Sequence, residues 1–217
     1  MDAAHIAALL SPFLDEANGQ RLTASDLSNI STYIDLLLRW NARINLTAIR
    51  DPEEIVTRHF GESFFAARHM FPKTSSVPSV VKDFSLADLG SGAGFPGLPI
   101  KLWAPPITLT LIESNQKKAT FLREVIRAIT LTSIDVFHGR AEDFPDDRAD
   151  FVTLRAVERF NTVLPIADSL LSSGGKLALL IGNAQLEPAK KQLSNYAWSC
   201  VFVPQSSSRI LAIGLKP

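Results

Sequence analysis

The sequence predicts an α/β chain: a doubly wound, mostly parallel sheet of seven strands with an N-terminal helical cap. Three observations lead there. From Ser85 onward, short apolar runs alternate with helical stretches, the rhythm of parallel strands joined by crossover helices. The first 70 residues show helical periodicity without such runs. Between the first apolar run and the next helix lie four of the chain's 11 glycines, within eight residues.

The cap has two clear helix starts. Thr23 with Asp26 has the pattern of an N-cap and an acid at the third helical position, and Leu27, Ile30, Ile34, Leu37 and Leu38 then form one apolar stripe. Asp51 can cap a second helix, with Pro52 at its first position and Glu53 and Glu54 near the positive end of the dipole. Ile55, Val56, Phe60 and Phe64 supply its buried face. Pro72, Ser75, Ser76, Pro78 and Ser79 break the pattern and read as a linker over 71–84. The expected division is a helical extension with linker, 1–84, and a main domain, 85–217.

In the main domain the expected strands are Leu86 to Leu89, Ile107 to Ile112, Ile134 to Phe137, Phe151 to Leu154 and Lys176 to Ile181. An amphipathic helix is expected over Asn115 to Ile129. Trp198 to Val203 and Arg209 to Leu215 lie too close together for a full helix between them, so they read as an antiparallel pair at one edge.

Composition excludes several classes. Of 217 residues, 46% are apolar and 20% charged, as in a globular protein. Lys+Arg and Asp+Glu both number 22, so bulk charge does not attract nucleic acid and any such contact needs a local patch. Residues 1–70 carry 6 basic against 9 acidic residues, a net of −3, which the remainder offsets. One cysteine, Cys200, excludes a disulfide framework and a Cys-rich zinc site. His59 and His69 make no metal spacing with it. No apolar run approaches the roughly 20 residues that span a bilayer. An N-terminus with Asp2 and no Lys or Arg before Arg21 does not read as a secretory signal. A cytoplasmic monomer is expected, without metal or membrane.

The glycine-rich turn is the strongest chemical signal. It runs Asp88-Leu89-Gly90-Ser91-Gly92-Ala93-Gly94-Phe95-Pro96-Gly97. Glycine permits positive φ and close approach of the backbone to a ligand, and helix-start N–H groups would point into the same space. Gly92, Gly94 and Gly97 satisfy the dinucleotide pattern G-x-G-x-x-G. Asp88 with Gly90, Gly92 and Gly94 satisfies the acid-x-G-x-G-x-G pattern of S-adenosylmethionine-dependent methyltransferases. Glu113, at the end of the second strand, suits ribose hydroxyls in either reading. A Tyr-x-x-x-Lys pair and a Walker A loop are both missing, which removes short-chain dehydrogenase and P-loop chemistry.

Further blocks point to one family. Trp40 to Ile49, Asp51-Pro52-Glu53-Glu54 and Arg58-His59-Phe60 precede the turn. Glu113-Ser114-Asn115, Lys117-Lys118, Phe121 to Val125, Gly139-Arg140-Ala141-Glu142-Asp143 and Arg155-Ala156-Val157 follow it in order. Together they resemble the RsmG (GidB) methyltransferases. The resemblance implies a Rossmann-like class I methyltransferase domain over 85–217, with S-adenosylmethionine as cofactor. It implies transfer to N7 of a guanine in the 530 loop of 16S ribosomal RNA, within the small ribosomal subunit. By position, Gly90, Gly92 and Phe95 would hold the cofactor from the turn, Glu113 its ribose, Ala141 and Glu142 its adenine, and Arg155 its methionine end or the target. No catalytic acid, base or nucleophile is nominated. The chain departs from the family pattern at Leu154, usually small, and at Ile181, usually lysine. His59 is expected to be a packed or capping side chain. Lys117, Lys118, Arg123 and Arg127 would give one helix a basic side for phosphates.

Overall fold

The computed structural model describes residues 1–14, 22–72, 84–145, 148–156 and 159–217. Most of the expected linker, residues 73–83, lies outside them, as do Asp146, Asp147 and Val157. Helices α1 (Ala3–Leu10), α2 (Ala24–Asn41), α3 (Pro52–Glu54) and α4 (Glu62–Met70) come first, with a π-helical stretch, Ile55–Gly61, joining the last two. Then follow β1 (Ser85–Leu89), α5 (Gly97–Trp103), β2 (Thr108–Glu113), α6 (Gln116–Ala128), β3 (Ile134–His138), β4 (Ala149–Arg155), α7 (Phe160–Ser169), β5 (Leu171–Gly182), α8 (Leu186–Gln192), β6 (Ala197–Phe202) and β7 (Arg209–Leu215).

The cap helices start where their side chains satisfy free N–H groups. Thr23 Oγ1 accepts from Asp26 N at 3.1 Å while Asp26 Oδ2 accepts from Thr23 N at 2.8 Å, a reciprocal capping box. Asp51 Oδ1 accepts from Glu54 N at 2.8 Å. Ile30, Ile34, Leu37, Ile55, Val56, Phe60 and Phe64 are all buried, so both stripes face the interior.

The sheet has seven strands in the order β3-β2-β1-β4-β5-β7-β6. The first five are parallel; β7 runs antiparallel between β5 and β6. The order reverses between β1 and β4, so the carboxyl ends of these strands open a crevice at a topological switch point. β5 is longer than its apolar run, starting at Leu171 and passing through Gly174 at φ 73°.

Two apolar clusters flank the sheet. One joins α5 and α6 to the cap helices; the other lies under α7 and α8. The cap therefore shares a core with one face of the sheet, and its contact with the glycine turn is aromatic. Phe95 lies parallel to Tyr33 at 5.3 Å and to His59 at 4.7 Å, with Phe60 edge-on at 5.0 Å. Tyr33 Oη donates to the Ala93 carbonyl at 2.5 Å in this buried seam. Tyr33→Phe keeps the ring packing but strands that carbonyl, and should cost about 1–3 kcal/mol. Urea unfolding should show a lower midpoint at unchanged slope; an unmoved midpoint would show that the bond contributes nothing.

Candidate cofactor and acceptor site

The turn after β1 is held from below by a buried carboxylate. Asp88 Oδ1 accepts from Thr153 Oγ1 on β4 at 2.7 Å, and Oδ2 from Gly97 N at the start of α5 at 3.3 Å. Gly90 N and Ser91 N donate to the Ile112 carbonyl at 2.9 and 3.1 Å, tying the turn to β2. Gly90, Gly92 and Gly94 all have positive φ. Gly94 has a second reason to be glycine: a Cβ there would lie 2.3 Å from Tyr33 Oη. Its smallness serves the packing of the cap against the turn.

The expectation of free helix-start N–H groups is corrected here. Gly97 N is taken by Asp88, Leu98 N by the Gly94 carbonyl and Ile100 N by the Pro96 carbonyl, while Pro99 has no donor. A pyrophosphate would find no free donor at the start of α5 and would sit above a buried acid. The dinucleotide reading loses its anchor.

A cavity of about 210 Å³ opens over the ends of β1 and β2. Leu89, Ile112, Val163 and Ile166 give it apolar walls, and Gly90, Ser114, Gly139, Arg140, Ala141 and Glu142 complete its rim. Glu113 is only 6% exposed. Its Oε2 accepts from Gly92 N at 2.8 Å and its Oε1 from Asn115 N at 2.7 Å, so it clamps the turn, with a lone pair left on each oxygen. The arrangement suits a flat, largely apolar ring with a hydroxylated sugar beside it.

The predicted residues divide accordingly. Gly90, Ala141 and Glu142 line this cavity, and Gly92 and Glu113 form the adjoining clamp. The Phe95 side chain is 5% exposed and engaged with Tyr33, Phe60 and His59. Arg155 lines a second cavity of about 240 Å³ on the other side of the switch point. Lys117 and Lys118 sit in the first turn of α6, next to Ser114. Arg127 lies about 13 Å further along that helix, and Arg123 Nη2 donates to the Val136 carbonyl, so the expected basic side is not one patch.

The second cavity holds charges that motif reading missed. Glu62, 2% exposed, meets three arginines: its Oε1 is 3.2 Å from Arg58 Nε and 2.7 Å from Arg209 Nη2, and its Oε2 is 3.4 Å from Arg155 Nη2. Arg155 Nη2 also donates to the Arg58 carbonyl at 2.9 Å. Burial pulls the Arg155 guanidinium below its ordinary value, with Glu62 opposing the shift. One signal for Glu62 was legible in the sequence: an acid between Phe60 and Phe64 on a buried face, with Arg58 one turn earlier.

Solved methyltransferases share this architecture. Ribosomal protein L11 methylase from Lactobacillus delbrueckii subsp. bulgaricus superposes with a TM-score of 0.58 at 18% identity, covering 74% of this chain and 79% of that one. M. jannaschii TYW2 in complex with AdoMet gives 0.52 at 16% identity, over 61% of this chain and 68% of that one. The fold is therefore that of Rossmann-like methyltransferases. A family model described as rRNA small subunit methyltransferase G matches residues 26–209. The chain belongs to this family. The ribosomal RNA small subunit methyltransferase G of Streptococcus pyogenes serotype M12 is 34% identical over 214 residues, covering 91% of this chain and 86% of the relative. That of Desulfitobacterium hafniense is 39% identical over 159 residues, 71% and 62% of the two chains.

Leu154 and Ile181 both line the second cavity, giving it apolar walls behind the arginines. His59 is packed as expected, with Nε2 2.8 Å from Thr47 Oγ1 and a buried Nδ1 that has no hydrogen-bond partner among the described residues.

Two buried groups give the fold opposing pH responses. Burial pushes Asp88 from an ordinary 3.8 up to about 6, against the hydrogen bonds it accepts. The folded state then holds that proton more tightly than the unfolded chain, and stability falls as pH rises from 3.8 to about 6. Burial, with Arg155 and Arg58 nearby, pulls His59 from 6.5 down to about 3, so stability falls as pH drops through that window. Asp88→Asn should therefore steepen the acid loss of stability, and His59→Gln should flatten it. Urea midpoints measured across this range check both; three parallel curves would refute the assignment.

Proposed function

We propose that this chain transfers a methyl group from S-adenosylmethionine to N7 of a guanine in the 530 loop of 16S ribosomal RNA, acting on the small ribosomal subunit. The observation that carries the reading is the pair of cavities flanking the switch point in a chain of this family. One is an apolar slot beside the Glu113 clamp; the other is lined by arginines. The proposed division remains a helical extension over 1–84 and the methyltransferase domain over 85–217, working as a cytoplasmic monomer.

The residues fit the cofactor's chemistry. Leu89, Ile112, Val163 and Ile166 would sandwich the adenine, with Glu142 at its polar edge beside Ala141. Glu113 would accept the ribose hydroxyls on its remaining lone pairs, and Gly90 and Gly92 would bring the backbone close. Phe95 would act from beneath, by fixing the turn. Arg155 would face the methionine end or the target from the neighbouring cavity. When bound, S-adenosylmethionine supplies an already activated methyl group. Guanine N7 offers a free lone pair at neutral pH and loses no proton, so the protein's task is alignment rather than acid-base chemistry. This suits a site with no nucleophile-base pair among the described residues.

Glu113→Ala should weaken S-adenosylhomocysteine binding about tenfold to a hundredfold, as loss of a charged acceptor does. Calorimetry on the folded variant checks this, and an unchanged affinity would remove Glu113 from the site. For the reaction, labelled cofactor is supplied with purified small subunits, naked ribosomal RNA and small methyl acceptors. Label should appear on guanine N7 in the 530 loop. Label on another base, or only on small molecules, would replace this reading with a different acceptor.

A further inference from the structure

We propose that Glu62 is a positioning residue for methyl transfer, holding the guanidinium groups of Arg155 and Arg209 in fixed places across the second cavity. The inference rests on the methyltransferase reading above. Glu62 comes from the first turn of α4, Arg155 from the end of β4 and Arg209 from the start of β7. Three separate parts of the chain thus meet at one carboxylate. That carboxylate is 2% exposed, and the two arginine side chains are 13% and 26% exposed, so the partners are removed from competing water.

The charges around Glu62 are uneven. One carboxylate faces three guanidinium groups, since Arg58 also reaches it. Arg58 has a second acid, Glu54, at 3.3 Å on the exposed side. Arg155 and Arg209 share only Glu62 among the ion pairs of the described residues, and Arg209 Nε is buried with no hydrogen-bond partner there. Here the carboxylate orients the arginines while leaving positive charge directed at a cavity with walls of Leu154, Phe160 and Ile181. Such a surface suits an electron-rich group, and fixed donors are worth more to alignment than mobile ones. The π-helical stretch before Glu62 belongs to the same device: it presents the Arg58 carbonyl that takes Arg155 Nη2 at 2.9 Å.

The test combines spectra with kinetics. In nitrogen-labelled wild-type protein, slowed rotation should split the Nη signals of Arg155 and Arg209, and Glu62→Gln should average them. With small subunits as acceptor, Glu62→Gln should lower turnover about tenfold or more, the scale of a charge-assisted hydrogen bond. S-adenosylhomocysteine affinity and thermal midpoint should change less than turnover does. Glu62→Asp keeps the charge one methylene short and should retain intermediate turnover. The proposal is overturned by freely averaged arginine signals in the wild type. It is also overturned if turnover in Glu62→Gln matches wild type or falls only with the folded fraction. Should Glu62→Gln not fold, the wild-type spectra and Glu62→Asp decide. A wild-type protein inactive on small subunits would refute the proposed function, while the arginine spectra still decide the positioning.

Discussion

The structure depends on a carboxylate buried where the sheet changes direction. Strands β1 and β4 are neighbours whose connections leave on opposite faces, so the backbone diverges above them and polar groups are left to be satisfied. Asp88 spans that gap, taking the Thr153 hydroxyl on one side and the Gly97 amide on the other. Its burial is costly, as its raised pKa shows. In return the glycine turn, the start of α5 and two strands are fixed relative to one another. A neutral residue without a matching acceptor would leave two donors stranded.

The cap completes what the turn begins. Without Tyr33, His59 and Phe60, the Phe95 ring would stand in water and the Ala93 carbonyl would lose its donor. The cap and the turn are therefore one packing unit, although nearly 60 residues separate Tyr33 from Ala93 along the chain. The same cap delivers Glu62 and Arg58 to the second cavity. It is both the support of the first cavity's floor and a wall of the second.

Electrostatics follows the same local logic. Zero net charge gives the chain no long-range pull on a polyanion. Positive charge is instead concentrated at Arg58, Arg155 and Arg209, around one acid in a part-buried setting where solvent screening is weaker. Lys117 and Lys118 add charge at the start of α6, while Arg127 lies about 13 Å further along that helix.

The sequence by itself determined the fold class, six of the seven strands to within two residues and the apolar half of β5, the two cap helix starts and the glycine turn with Glu113. These are local facts: alternation, a 3.6-residue stripe, a capping pair and a short motif each act over a few residues, so periodicity and spacing reveal them. Ala141 and Glu142, which line the first cavity, were legible only through ordered resemblance, because nothing about an alanine next to an acid specifies a cavity. Tertiary structure alone decided the rest. It turned Gly94 towards Tyr33, used up the helix-start donors of α5, sank Phe95 into the core and joined Glu62 to Arg155 across 93 residues. The physical reason is burial. A charge or an amide shows its partner only when the fold removes water from both, and residues far apart in the chain leave no shared pattern in the sequence that would announce it.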